Sequence, residues 1–196
     1  MFQDFLKSKL FRIIVPVAIL FLASTFAAYG GEGIEGSMCV SGGSGESENA
    51  PYIICTAKDL AALADQVNAG DNKAGKYYRL GKSIDLSAYG ASYNGGKGWK
   101  PIGNNSNRFK GNFDGNRRTV SNLFINDASL DYAGLFGYID SGKIKNLGVV
   151  DADITARSNA GGLAGFFNNS IIDNCYTTNV VIRVAGTTGQ TGRRLR

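Results

Sequence analysis

The chain has 196 residues, 43% of them apolar and 19% charged, with a formal net charge of +5. This length allows one domain with appendages, and the apolar fraction is enough for a core. Histidine is absent and there are only three Cys, which excludes a Ser-His-Asp triad, a His-ligated zinc and a four-cysteine metal site.

The first segment reads as an export signal. Lys7, Lys9 and Arg12 form a basic start, and Ile13 to Ala28 is an apolar run. Ala27 and Ala28 offer the small residues of a cleavage site, so residues 1–28 are expected to be removed. The run is short for a bilayer span, and it provides the chain's expected membrane contact. Residues 29–50 follow as a Gly-, Ser- and Glu-rich linker that holds every Glu of the chain. Export permits disulfides, so Cys39 and Cys55 are candidates to pair, which would leave Cys175 free.

Residues 51–75 are expected to form a strand and a helix. Tyr52 to Ile54 reads as the strand, and Thr56 with Asp59 approximates a capping box. Leu60, Leu63, Ala64 and Val67 recur at helical spacing, and Ala69-Gly70 closes the helix. Such a short, one-faced helix suits the open end of a sheet.

Residues 76–184 alternate short β-like runs with Gly, Asn and Asp turns, and they contain an internal repeat. Gly134-Leu135-Phe136-Gly137 recurs as Gly162-Leu163-Ala164-Gly165, and Ile144-Lys145-Asn146-Leu147 recurs as Ile172-Asp173-Asn174-Cys175. Both pairs are 28 residues apart. Val120-Ser121-Asn122-Leu123 matches the Ile144 unit at an offset of 24. A period of this size suits a parallel β-solenoid, in which each strand lies ~4.8 Å from its equivalent. The expected stacks are Leu135 on Leu163 and Leu123 on Leu147 on Cys175, with Tyr138 and Phe166 as an aromatic pair if they point inward. Asn122, Asn146 and Asn174 are expected to form a ladder at a left-handed corner. Upstream, Trp99 to Gly103 and Phe109 to Phe113 read as strands, with a turn at Asp114-Gly115-Asn116. Residues 185–196 are expected to be an unstructured basic tail, leaving a strand edge bare near Val180 to Arg183.

The Gly-Leu-x-Gly units, each followed by Ile-x-Asn, resemble the GLUG motif of bacterial surface proteins. Trp99-x-Pro101-Ile102-Gly103, Phe109-x-Gly111-x-Phe113-Asp114-Gly115 and Val120-x-Asn122-Leu123 are similar to the segment that precedes those repeats. Thr56-Ala57-x-Asp59-Leu60 with Val67-Asn68-x-Gly70 is similar to their capping helix. The resemblance covers about residues 52 to 183. It implies an all-β, right-handed parallel β-helix with a short N-terminal capping helix. It also implies an adhesin-like role in display or attachment at the cell surface, and no particular reaction.

Candidate sites are few. Asp151 and Asp153, two apart on one strand face, suggest a calcium or general-base pair, although Asn179 and Val181 follow them one repeat on. Asp114 sits in a Gly-rich turn, and Lys143, Lys145, Arg117 and Arg118 are scattered outward charges. Trp99, Tyr89 and Tyr93 are available to stack on sugar rings if exposed. Asn104 and Asn168 lie in Asn-x-Ser sequons. No clustered basic face suits nucleic acid. No catalytic, cofactor-binding or metal-ligating residue is assigned, and no cofactor is expected. The leading expectation is a non-enzymatic secreted or cell-surface protein binding an extracellular protein or glycan. The alternatives are a carbohydrate-active β-helix enzyme and a non-catalytic accessory region of a secreted metallopeptidase.

Overall fold

The computed structural model describes residue 39 and residues 42–185. The expected signal segment, most of the first half of the linker and the basic tail lie outside the described residues.

Among the described residues the fold is all-β apart from one α-helix and two short 3-10 turns. Strand β1 (Tyr52–Ile54) leads into helix α1 (Ala57–Asn68), then β2 (Tyr77–Leu80) and β3 (Ile84–Asp85). After the 3-10 turns come β4 (Asn112–Ser121), β5 (Phe124–Asp127), β6 (Phe136–Asp140) and β7 (Lys143–Ala156). The series ends with β8 (Ala164–Asn168), β9 (Ile171–Asp173) and β10 (Tyr176–Val184). The strands form an eight-stranded sheet with the path β1-β2-β4-β7-β10 and a two-stranded sheet of β6 and β8. Every pairing between named strands is parallel.

Helix α1 forms where its cap chemistry and apolar spacing agree. The Asp59 amide donates to the Thr56 hydroxyl at 3.1 Å, and the Thr56 amide donates to the Asp59 carboxylate at 2.9 Å. Its buried face is Leu60, Leu63, Ala64 and Val67, the residues the spacing marks. These side chains enter the same core as the strands.

The 28-residue repeat is realised as strand register. Val149 pairs with Thr177 and Ile154 with Ile182. Ile144 pairs with Ile172, and Phe136 with Ala164. Gly137 and Gly165 of the Gly-Leu-x-Gly units sit where chains press together. A Cβ on Gly137 would stand 2.1 Å from the Gly103 carbonyl oxygen, and one on Gly165 would stand 2.6 Å from the Ala133 nitrogen.

The 24-residue offset is not realised. Val120 pairs with Val149, and Phe113 rather than Val120 pairs with Ile144. Leu123 therefore does not stack on Leu147. It lies beside Ala152, since the next pair is Phe124 with Asp153. The misreading comes from β4, whose register with β7 shifts between Asp114 and Arg118. Asn116 and Arg117 both take left-handed backbone there, at φ 53° and 58°. The expected turn at Asp114-Gly115-Asn116 is thus a bend inside one long strand. The expected strands around Ile102 and Phe109 reduce to isolated bridges with Phe136 and Ile139.

The cysteines behave as two kinds. Cys39 and Cys55 form a disulfide with Cα atoms 5.6 Å apart, while Cys175 is free and half-buried below Leu147. The linker residues from Gly42 onward are packed. The Ile53 amide donates to the Gly42 carbonyl at 2.8 Å, and the Tyr77 amide to Gly45 at 2.9 Å.

Candidate binding surface

Two corners set the directions of the outward side chains. At one, Asn174 donates to Asn146 at 2.7 Å, and Asn146 donates to Asp114 at 3.0 Å. At the other, Asn179 donates to Asp151 and Asn122 donates to Asp85. Asn122 therefore belongs to the Asp151–Asn179 corner, not to the Asn146–Asn174 ladder. All five of Asn122, Asn146, Asp151, Asn174 and Asn179 have positive φ. Short polar side chains tolerate this conformation, which explains their placement.

The carboxylates expected as candidates are engaged. Asp151 is an exposed corner residue that accepts from Asn179, and Asp153 pairs with Arg183. Asp114 faces Arg79 at 3.3 Å and Lys145 at 3.8 Å, while Lys145 also pairs with Glu48 of the linker. Burial raises the Asp114 pKa. The Asn146 amide, the Asn116 amide and the charges of Lys145 and Arg79 together outweigh it, so the carboxyl stays below its ordinary range. The outward column Arg79–Asp114–Lys145–Asp173 alternates in sign along the strand order. Among the described residues no group of three or more His, Cys, Asp or Glu is arranged to hold a metal ion.

The expected sugar-stacking trio is mostly withdrawn from solvent. Trp99 is 2% exposed, and its indole N–H donates to the Leu135 carbonyl at 3.1 Å. Tyr89 packs edge-on against Trp99 at 5.6 Å and against Tyr93 at 4.7 Å. Trp99 is thus a packing residue whose polar atom is satisfied internally. Both sequon asparagines are also engaged. Asn104 donates to Asn68 and accepts from the Ser106 and Asn107 amides, while Asn168 donates to Asp140.

A different aromatic surface is present on β6 and β8. Tyr138 pairs in register with Phe166, and their rings are 4.9 Å apart at 68°. Tyr132 completes the group, 5.2 Å from Tyr138 and 6.0 Å from Phe166. The Arg108 guanidinium lies 4.6 Å from the Tyr138 ring centre. The inward column beside it is Phe109–Ile139–Phe167, so the Tyr138–Phe166 pair is an outer-face feature and not an inward stack. Phe166 is 41% exposed, whereas Tyr138, packed against it and under Arg108, is 8% exposed.

Polar groups flank these rings. Asp140 lies 3.3 Å from Lys110 and 3.5 Å from Arg108, and it accepts from Asn168 at 3.2 Å. Burial pushes the Asp140 carboxyl up, but the Asn168 amide and the Lys110 ammonium win and hold it ionised. The surface therefore offers the exposed Phe166 ring and the partly exposed Tyr132 beside the Asn168 amide and the Arg108 guanidinium, while Tyr138 and Asp140, each 8% exposed, hold these groups in place. Sequence reasoning named Tyr138 and Phe166 but missed Tyr132, Arg108 and Asp140. The signal was present in the 28-residue pairing of Asp140 with Asn168.

Comparison with known proteins bears on this surface only broadly. No known protein family matches the chain. The chain is 37% identical over 162 residues to the "Putative Gly-rich membrane protein" of Evansella cellulosilytica, a match covering 81% of this chain and 18% of that protein. It is 41% identical over 129 residues to halomucin of Haloquadratum walsbyi, covering 64% of this chain and 1% of that protein. The chain thus corresponds to a small part of each. No solved structure matches it. Among the described residues no helix is long and apolar enough to cross a membrane.

Proposed function

We propose that this chain is a non-enzymatic, exported attachment module of the GLUG-motif kind. Its strands wind as a right-handed parallel β-solenoid with α1 as the cap, and the module is displayed at the cell surface. The ligand is a glycan, carried on a host, matrix or neighbouring cell component, and it rests on Phe166 and Tyr132, which the buried Tyr138 supports from beneath.

One observation carries this reading: an outer aromatic group stands beside hydrogen-bonding groups that are already fixed in place. Sugar rings present apolar C–H faces and equatorial hydroxyls. The Phe166 and Tyr132 faces take the former, and Asn168 and Arg108, held in place by the buried Asp140, take the latter. The 28-residue register supports the solenoid, because each outward side chain lies over its equivalent. The name of the Evansella relative supports an envelope location. Asp114, Asp127 and Asp140 all have lowered pKa values, whereas a general acid needs a carboxyl that keeps its proton near neutral pH.

The test is a glycan array probed with wild type, Tyr138→Ala and Phe166→Ala. Binding by the wild type that both variants lose supports the reading. Binding that both variants keep contradicts the aromatic surface, and new reducing ends released from any array sugar contradict a non-enzymatic role.

A further inference from the structure

Two outward columns run side by side across β2, β4 and β7. One is Tyr77–Asn112–Lys143 and the other is Arg79–Asp114–Lys145. The strand register thus gathers Arg79, Lys143 and Lys145 around one cleft, although the two lysines look scattered in sequence. Asp114 is the one carboxylate that these strands bring to it.

A further negative charge comes from the linker. Glu48 pairs with Lys145 across 97 residues of sequence, and the Glu48 backbone carbonyl accepts from the Arg79 guanidinium at 3.3 Å. The Lys145 hydrogen bond and charge, helped by the charge of Lys143, hold the Glu48 carboxyl below its ordinary range. Lys143 pairs with no carboxylate among the described residues. Beside Glu48 a space of about 100 Å³ is open, with Tyr77 and Pro51 in its walls. The linker presents Glu48 on a short turn whose base is fixed: the Gly45 amide donates to the Ala50 carbonyl at 2.8 Å, and the Ala50 amide to the Ser47 carbonyl at 3.1 Å. The Glu48 side chain itself is 57% exposed. An ion pair this exposed contributes little to stability, so another carboxylate can replace it at small cost.

We infer that this cleft is a second binding site, for a uronic-acid sugar whose carboxylate takes the place of Glu48 on Lys145 and Lys143. Glu48 shows the chemistry that the site accepts, because it is a carboxylate already seated there. A uronate brings the same group on a ring that also has apolar C–H faces and hydroxyls. The partly exposed Tyr77 gives that ring a wall, and the half-buried Arg79 guanidinium donates to its hydroxyls. An acidic peptide ends in the same carboxylate but brings no ring to Tyr77. The site is built on β2, β4 and β7, away from the aromatic group of β6 and β8, so either can fail alone.

The experiment is isothermal titration calorimetry of the purified full chain at low salt with three probes: trigalacturonic acid, the neutral galactose trimer of the same linkage, and triglutamate. The trigalacturonate is expected to bind, and the other two are not. Glu48→Gln removes the resident carboxylate and is expected to raise the affinity about two- to fivefold, the factor that an exposed ion pair is worth. Lys143→Gln is expected to lower it by a similar factor. Lys143→Gln breaks no ion pair of the fold, so it reads the site even if Glu48→Gln does not fold. No heat from trigalacturonate, equal binding of the neutral trimer or of triglutamate, or folded variants with the wild-type affinity would each overturn the inference.

Discussion

The Asn174 side-chain amide donates to the Asn146 side-chain carbonyl at 2.7 Å across a sequence gap of 28 residues. Both residues hold left-handed backbone, at φ 49° and 54°. Each therefore turns a corner of its own strand run and also ties that corner to its neighbour. Asn146 extends the tie to Asp114, so three adjacent strand runs share one line of hydrogen bonds.

The two jobs of Asn146 can be separated. Asn146→Gly keeps the backbone conformation and loses the ladder, which should cost about 1 kcal/mol, chiefly the part-buried hydrogen bond to Asp114, since the one from Asn174 is exposed. Asn146→Ala adds the left-handed penalty of roughly 1 kcal/mol. Urea denaturation of both variants should rank Ala below Gly. Equal stability would mean that the corner stores no conformational demand.

Leu147→Asp should unfold the protein, because Leu147 is 0% exposed and the new charge has no partner. Lys145 on the same strand is not silent, contrary to the simple expectation for an outward lysine. It pairs with Glu48 and lies 3.8 Å from Asp114. Lys145→Asp should cost about 1 kcal/mol by setting like charges side by side on adjacent strands. Thermal melts in which the two variants lose the same Tm would contradict the inward and outward assignment.

Acid sensitivity follows from Asp114. Its folded pKa is depressed below the unfolded value, so its contribution is complete above the ordinary aspartate range near ~3.9. The contribution is lost as pH falls through the depressed folded value. Stability should therefore be insensitive to this group from pH 7 down to the aspartate range and should drop below it. Asp114→Asn should flatten that part of the curve. An unchanged slope in urea titrations across acid pH would remove Asp114 from the account.

The Cys39–Cys55 bond closes a loop with a sequence separation of 16. Chain-entropy reasoning gives a stabilisation of about 3 kcal/mol for a loop of that size. Its reduction, or Cys39→Ser with Cys55→Ser, should lower the urea midpoint by a corresponding amount. A midpoint that stays in place would show that the packed linker holds the β1 edge without the covalent tie.

Part of this fold was legible because the sequence states it twice. The units at Ile144 and Ile172 are the same length and carry Asn at the same place, so the 28-residue register could be read directly. The Thr56–Asp59 cap was legible because its chemistry is local. The Asn122 assignment failed for a physical reason. An apolar-x-Asn-apolar string marks any left-handed corner, and this molecule has two kinds of corner. The shift within β4 is invisible in sequence, because it depends on Asn116 and Arg117 adopting an unusual backbone together. The candidate surface was half legible. Tyr138 and Phe166 stood out as aromatic equivalents, yet which face they occupy depends on Gly137 and Gly165 setting the course of β6 and β8. Trp99 misled because its indole finds its partner in a carbonyl 36 residues away.

The central claim is that successive repeats lie one on the next in parallel register. Nuclear magnetic resonance couplings transmitted across hydrogen bonds test it directly. The account predicts a coupling from the Phe136 amide to the Leu163 carbonyl, where the separation is 2.9 Å, and from the Ile171 amide to the Gly142 carbonyl at 3.0 Å. If these amides couple instead to carbonyls a few residues away in sequence, the layered arrangement is contradicted.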